Sequence, residues 1–261
     1  MEQRNTFNAV ADLYGSARPG YPESLVDDVL RFTVPERGDA ILEVGCGTGQ
    51  ATTSFAKRGY RLVALDPGSD LIRVAREKLA AFPNTEFVTS TFEAWEHPPR
   101  TFRLIIAAQS WHWIAPHIAF AKAAALLGDD GVLAVFGHVP MNPPEPLRTA
   151  LEQIYLQHTG VWGPPPEAAY LPTGPFSGLF GQSDLFEAVI HKSYAWRWAL
   201  TSESYTAFAR TRSDHQLMPA ESREVLLTAV KAAIDALGGQ VEWPYETHLT
   251  MARIKPRPSA G

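Results

Sequence analysis

The chain is poor in cysteine, in basic charge and in long apolar runs. Its 261 residues include one cysteine, Cys46. A single thiol forms no internal disulfide and no thiolate metal cluster, which fits a reducing cytoplasm, and we predict no bound metal. No segment approaches the roughly 18 apolar residues of a membrane span, and the N-terminal residues lack the apolar run of a signal peptide. We therefore predict a cytoplasmic protein without a membrane partner.

An excess of basic residues is also missing. The formal charge is −5 and the sequence pI is about 5.9, so a nucleic-acid phosphate backbone is an unexpected partner. The sequence contains no internal repeat and no low-complexity tract. With 45% apolar and 20% charged residues, the chain can bury one large core, or one core with a cap.

A glycine-rich turn follows the apolar strand at the start of AILEVGCGTGQ, residues 40–50. Glycine tolerates positive φ and lets backbone amides approach a ligand at the start of a helix. The glycines alternate at Gly45, Gly47 and Gly49, and an acid, Glu43, precedes them. A dinucleotide-binding fingerprint would require glycine where this chain has Gln50. The turn therefore predicts a nucleotide-like ligand and disfavours a dinucleotide.

Four further strands follow, over residues 61–65, 85–90, 102–108 and 132–136, with helical segments between them. The second strand of the chain ends in Asp66, about twenty residues beyond the glycine turn, where open α/β folds place an acid on ribose hydroxyls. A helix from Ser69 to about Ala81 follows Asp66. Parallel strands need such crossover helices, so we predict an α/β fold with a doubly wound, mostly parallel sheet.

Polar and aromatic residues cluster at the carboxyl ends of the later strands, where open α/β sheets bind ligands. After the fourth strand come Gln109, Trp111, His112 and Trp113. The two indoles either bind substrate or close the end of the sheet, and His112 either takes part in chemistry or caps the next helix. His138, after the fifth strand, is a second candidate base.

Four motifs carry a resemblance to a known family. They are Tyr14-x-x-x-Arg18-Pro19-x-Tyr21-Pro22, the turn AILEVGCGTGQAT, the SWHW after the fourth strand and the C-terminal WPYETHLTMARI. Together they resemble class I S-adenosylmethionine-dependent methyltransferases, in the small-molecule branch that includes the trans-aconitate methyltransferases. The resemblance covers residues 5–138 well and the last hundred residues loosely.

The resemblance implies a seven-stranded Rossmann-like sheet with an antiparallel edge strand. It also implies S-adenosylmethionine as cofactor, with S-adenosylhomocysteine as product. In that branch the N-terminal segment folds over the cofactor, which suggests that Tyr14 and Arg18 close its pocket and that Arg18 pairs with the methionyl carboxylate. The predicted cofactor-binding residues are Tyr14, Arg18, Glu43, Gly45, Cys46, Gly47, Thr48, Gly49, Asp66, Pro67, Leu71, Thr91, Phe92, Glu93 and Gln109.

A proline-rich segment, residues 140–184, departs from the alternation of strands and helices. Irregular segments of this length usually form lids or binding loops, so we predict a cap over the substrate site. The division predicted is an N-terminal helical lid over 1–37, a cofactor-binding core over 38–139, the cap, and a C-terminal part over 185–261. The last strand, near His248 to Ile254, is predicted antiparallel at the sheet edge. Candidate substrate contacts are Trp111, Trp113, Trp162, Tyr170, Phe176, Phe180 and Arg210, with Arg212 and His215 beside the last.

These features predict in-line methyl transfer from S-adenosylmethionine to a small metabolite. The arginines near residue 210 and the family branch point to an acidic, carboxylate-bearing acceptor that is methylated on oxygen. Two alternatives stay open at this point: an NAD-linked oxidoreductase on a Rossmann sheet, and a non-catalytic S-adenosylmethionine-binding protein. We expect a monomer or a homodimer.

Overall fold

A single seven-stranded sheet organises the computed structural model, which describes residues 6–36, 38–99, 101–163, 166–174, 178, 180 and 183–256. The strands are β1 (Ala40–Val44), β2 (Arg61–Asp66), β3 (Thr85–Thr89), β4 (Phe102–Ala108), β5 (Leu127–Pro140), β6 (Ile190–Thr201) and β7 (Gln240–Arg253). Their order is β3-β2-β1-β4-β5-β7-β6, with β1 to β5 parallel and β7 antiparallel to both neighbours. The predicted fold class is confirmed.

One detail of the predicted topology is wrong: the last strand does not lie at the edge. β7 lies between β5 and β6, so β6 forms the edge. Burial explains the order. Leu249, Met251 and Ala252 of β7 are almost fully buried, whereas most residues of β6 are exposed or half-buried. The strand that is apolar on both faces takes the interior position.

Nine α-helices accompany the sheet in the described part of the chain. They are α1 (Ala11–Ala17), α2 (Glu23–Thr33), α3 (Gln50–Ala56), α4 (Ser69–Lys78), α5 (Pro116–Leu126), α6 (Leu147–Thr159), α7 (Ser202–Arg210), α8 (Ser213–Gln216) and α9 (Ala220–Ala236). Among the described residues, no helix has the length and apolar character to cross a bilayer. The four-part division of the chain stays a prediction.

The core has three parts. Two apolar clusters cover the two faces of the sheet, and both contain residues of β1, β4 and β5. A third cluster joins α6, α7 and α9 to the first half of β7. This third cluster holds part of the predicted cap and the C-terminal helices against the end of the sheet. The C-terminal helices and the first half of β7 therefore lie beside the carboxyl ends of the parallel strands.

Candidate active site

The glycine turn is packed tightly between three strand ends. Gly45, Gly47 and Gly49 have φ of 72°, 54° and 82°. A Cβ on Gly45 would lie 2.4 Å from the Cβ of Ser110, which follows β4. A Cβ on Gly49 would instead lie 2.6 Å from Leu79 Cδ1, after α4. A side chain at position 45 would therefore collide with Ser110. A side chain at position 49 would collide with Leu79 and prevent the close packing of α3 against the end of α4.

Asp66 joins the turn to the end of β2. Its Oδ2 accepts a hydrogen bond from the Gly47 N–H at 2.9 Å, and its Oδ1 accepts one from the Gly68 N–H at 2.8 Å. Burial raises the pKa of Asp66, and the two amides oppose that shift. Each carboxylate oxygen has a further lone pair for a ligand hydroxyl.

A crevice opens in front of Asp66, and we call it the cofactor crevice. Its lining includes ten of the predicted cofactor or substrate contacts: Tyr14, Gly45, Asp66, Pro67, Leu71, Thr91, Phe92, Glu93, Gln109 and Trp113. Phe7 closes one side, because its ring packs edge-on against both Tyr14 and Trp113. The geometry thus brings nine of the fifteen predicted cofactor-binding residues, together with Trp113, to one place.

Glu43 lies in a recess that continues from the crevice, and Arg18, Tyr21, Cys46 and Gln50 also line this recess. Glu43 is buried. Its Oε2 accepts a hydrogen bond from the Thr52 hydroxyl at 2.6 Å, while its Oε1 has no hydrogen-bond partner among the described residues. Burial raises the pKa of Glu43 to about 8, and the charge of Asp66 adds to this shift. Burial also raises the pKa of the Cys46 thiol well above its usual range, so this cysteine is a lining group and no nucleophile.

Arg18 connects the N-terminal segment to the C-terminal helices. Its Nε donates to the Thr211 hydroxyl and its Nη2 to the Thr211 carbonyl, both at 2.9 Å. Its guanidinium lies between the rings of Tyr14 and Phe208, 4.7 and 4.8 Å from their centroids. No carboxylate partner of Arg18 occurs among the described residues, so its charge is available to an anionic group in the recess.

The geometry gives no support for His138 as a base. Its Nε2 donates to the Gly20 carbonyl at 3.1 Å, so its Nδ1 accepts from the Thr247 hydroxyl at 2.8 Å. The ring is also stacked on Tyr21, and burial lowers its pKa to about 3. Both nitrogens therefore serve the structure.

His112 is placed differently. It has an exposed edge, and its Nδ1 lies 3.0 Å from the Tyr170 hydroxyl. Desolvation by the surrounding groups lowers its pKa to about 4, which keeps the imidazole uncharged at neutral pH. His112 stays a predicted base.

Several predicted substrate contacts have other surroundings. Trp111 is buried against Phe92 and Phe120 and is not part of the lining of the crevice or its recess, as expected of a residue that closes the end of the sheet. Tyr170 is buried over Gly137, and Phe180 is buried in the core. Thr48 is also buried, with its hydroxyl bound to Gln50. The geometry supports a ligand contact at none of these four positions, and Phe176 lies outside the described residues.

A second, larger cavity of about 450 Å³ lies between α6, α7, α8 and β7. We call it the cap cavity. Its aromatic lining consists of Tyr155, Trp162, Tyr205, Phe208, Trp243 and Tyr245, and its other lining residues include Met141, Leu151, Val161, Arg212, Asp214, His215 and Met218. The predicted contact Trp162 is present here. The predicted contact Arg210 is not: its guanidinium pairs with Glu224 outside the cavity, at 2.7 Å.

One side of the cap cavity is polar, and its side chains are connected by a series of hydrogen bonds. Arg212 donates to both oxygens of Asp214, at 3.1 and 2.9 Å. His215 Nδ1 lies 3.0 Å from Asp214 Oδ1, and His215 Nε2 lies 3.0 Å from the Tyr155 hydroxyl. Neither Tyr155 nor Asp214 is among the residues predicted from the sequence. The spacing of Leu147, Leu151 and Tyr155 along one face of α6 was the available signal for the tyrosine.

The residues of the crevice fit S-adenosylmethionine. The unpartnered, buried Glu43 Oε1 can accept from an ammonium, Arg18 can pair with a carboxylate, and Asp66 can accept from ribose hydroxyls. Residues 41–131 match the methyltransferase domain family. The chain contains a class I S-adenosylmethionine-dependent methyltransferase domain. The cofactor of such domains is S-adenosylmethionine, and neither the oxidoreductase alternative nor the non-catalytic one is favoured.

Relatives and solved structures agree with this methyltransferase domain. The chain is 32% identical over 130 residues to an uncharacterised methyltransferase of Mycobacterium tuberculosis, covering 50% of this chain and 51% of the relative. It is 30% identical over 117 residues to trans-aconitate 2-methyltransferase of Afipia carboxidovorans, covering 44% and 43%. The chain thus spans about half the length of the curated relatives it matches. A proposed type II methyltransferase of Anaeromyxobacter dehalogenans shares the fold, with a TM-score of 0.65, 23% identity and coverage of 92% and 99%.

Proposed function

We propose that the protein transfers a methyl group from S-adenosylmethionine to a small organic acceptor bound in the cap cavity. The observation that carries the proposal is the shared wall between the two sites. Phe208 lines the cap cavity and stacks on Arg18 of the cofactor recess. Tyr14 stacks on the other side of Arg18 and lines the cofactor crevice. An acceptor in the cap cavity is therefore next to the methionine end of the cofactor site.

The cofactor supplies a methyl group on a sulfonium, which is already electrophilic, so the main task of the protein is alignment. Positioning contributes about 7 to 11 kcal/mol to such reactions. A general base contributes about 3 to 5 kcal/mol. We assign Asp66 to the ribose hydroxyls, Glu43 to the methionyl ammonium and Arg18 to the methionyl carboxylate. Leu71, Thr91 and Phe92 are assigned to the adenine.

His112 stays a predicted base from the sequence alone, because it lines neither the cap cavity nor the cofactor crevice or its recess. The carboxylate-bearing acceptor stays a prediction that rests on the family branch, because the two arginines that suggested it have carboxylate partners in the fold. A cytoplasmic location and a monomer or homodimer also stay predictions.

Binding of S-adenosylhomocysteine by Asp66→Asn tests the cofactor assignment. The neutral amide lacks the charge that strengthens the hydrogen bonds of the Asp66 carboxylate, each worth about 1.5 to 3 kcal/mol, so we expect affinity to fall about 10- to 100-fold. The matched control is Asp27→Asn, since Asp27 is an exposed partner of Arg58 far from the crevice. Equal affinity of both variants, by calorimetry, would overturn the assignment.

Transfer of a labelled methyl group then tests the acceptor class. The panel contains carboxylates, phenols and amines of similar size, together with a folded RNA transcript. Turnover of any small molecule with no labelling of the RNA supports the proposal. Labelling of the RNA alone would contradict it.

A further inference from the structure

The charged side chains of the cap cavity bear on the acceptor that the proposed function requires. Among the described residues, Arg212 is the one arginine or lysine that lines the cavity. Its guanidinium is held by Asp214 at 2.9 Å and lies 3.5 Å from Glu167 Oε1. Arg212 therefore faces two carboxylates, and of these Asp214 is the one that lines the cavity.

Asp214 keeps its charge inside this cluster. Burial opposes its ionisation, but the hydrogen bond from His215 and the charge and hydrogen bonds of Arg212 outweigh burial and hold the pKa of Asp214 well below its usual range. Asp214 lines the cavity, and its side chain is 42% exposed. Glu167 has a second oxygen, Oε2, that is buried without a hydrogen-bond partner among the described residues.

The remaining lining suits an organic cation. Six aromatic side chains surround the cavity, and the face of such a ring attracts an ammonium group. Tyr205 and Trp243 form a stacked pair with centroids 5.0 Å apart, and Trp198 packs edge-on against both Phe208 and Tyr245 just behind the lining. An incoming carboxylate, in contrast, would meet Asp214, and the guanidinium of Arg212 in the lining is already paired with that residue.

We infer that the cap cavity takes a small organic amine with an apolar or aromatic body, held in its ammonium form against Asp214 and the surrounding rings. The cavity mouth is open to water, because the lining residues Val161 and Met141 are exposed. The ammonium proton leaves to water at this mouth. The nitrogen lone pair then forms the new bond to the methyl carbon, and the carbon–sulfur bond breaks with its electron pair remaining on sulfur.

Calorimetry with matched ligands tests this inference separately from catalysis. The protein is saturated with S-adenosylhomocysteine at about pH 8, where a free imidazole is uncharged, and is titrated with phenethylamine, 2-phenylethanol and 3-phenylpropionate. We expect the amine to bind at least about tenfold more tightly than the alcohol, and the carboxylate to bind most weakly. Equal binding of amine and alcohol, tightest binding of the carboxylate, or no binding of any of them would overturn the inference.

The saturation step separates two kinds of failure. A protein that does not bind S-adenosylhomocysteine contradicts the proposed function on which this inference rests. A protein that binds it and shows the wrong order of ligands contradicts the choice of amine alone.

A charge-matched pair of variants locates the effect. Glu167→Gln removes one carboxylate beside Arg212, at a position where Oε2 makes no hydrogen bond that the fold would lose. Glu224→Gln removes the same charge from the exposed pair with Arg210. We expect Glu167→Gln to reduce the preference for amine over carboxylate about five- to tenfold, and Glu224→Gln to leave it within about twofold. Equal effects of the two variants would show that the preference does not arise in the cavity.

Discussion

Glu43 is a buried carboxyl group whose ionisation state depends strongly on its surroundings. Its pKa of about 8 leaves it mostly protonated at pH 7. An ammonium of the bound cofactor beside Oε1 favours the ionised form. We predict that binding of S-adenosylhomocysteine at pH 7 releases close to one proton, measured as the dependence of the binding enthalpy on the ionisation enthalpy of the buffer.

The variant Glu43→Gln gives the matching control, because it has no proton to release. The same substitution affects stability with a definite sign. The folded pKa is raised, so the contribution of Glu43 is fully present below its unfolded pKa of about 4.3 and is lost as the pH rises through about 8. As the pH rises from about 4.3 to about 8, the free energy of unfolding should therefore fall less for Glu43→Gln than for the wild type. Glu86→Gln, at an exposed position, should release as many protons on binding as the wild type. If Glu43→Gln released the same number as these two proteins, Glu43 would not be the source of the proton.

At the scale of elements, Arg18 joins the end of α1 to the residue that follows α7. We predict that Arg18→Met lowers the free energy of unfolding by about 2 kcal/mol, because it removes two hydrogen bonds from a charged donor to Thr211. The control Arg31→Met removes the ion pair that the exposed Arg31 side chain makes with Asp28 and should cost less than about 1 kcal/mol. Urea unfolding measures both.

Thr211→Val separates the two roles proposed for Arg18. The valine keeps the backbone carbonyl but not the hydroxyl that accepts from Nε, so stability should fall while affinity for S-adenosylhomocysteine stays close to that of the wild type. Arg18→Met should reduce both quantities. If Arg18→Met retained full affinity, Arg18 would be a structural residue only.

Elements with a strong local signal could be predicted from the sequence. The apolar run of β4 and the glycine turn before α3 each specify their structure within a few residues. The position of β7 could not be predicted in this way, because it depends on burial by β5 and β6. The same dependence on packing between distant segments explains which residues of the site could be predicted. Gly45 and Asp66 lie at the ends of β1 and β2, which are consecutive in the chain and paired in the sheet. Asp214 reaches the cap cavity only through the packing of α6, α7 and α9.

At the scale of the whole molecule, the C-terminal part is one body with the cofactor-binding sheet. β7 pairs with β5 over nine residues and with β6 over twelve. The helices that build the cap cavity pack on the first half of this same strand. Opening of the cap cavity by separate unfolding of the C-terminal part would therefore expose an apolar edge of β5, which is costly.

We accordingly predict that the sheet and the C-terminal part unfold together. Hydrogen exchange should give peptides of β4 and peptides of β7 the same largest free energy of opening. S-adenosylhomocysteine at 100 times its dissociation constant should raise both values by about 2.7 kcal/mol, because a ligand that binds only the folded state stabilises every element that unfolds with it. A lower opening free energy for β7, unchanged by the ligand, would instead define a separate C-terminal unit, and the cap cavity could then open without disturbing the cofactor site.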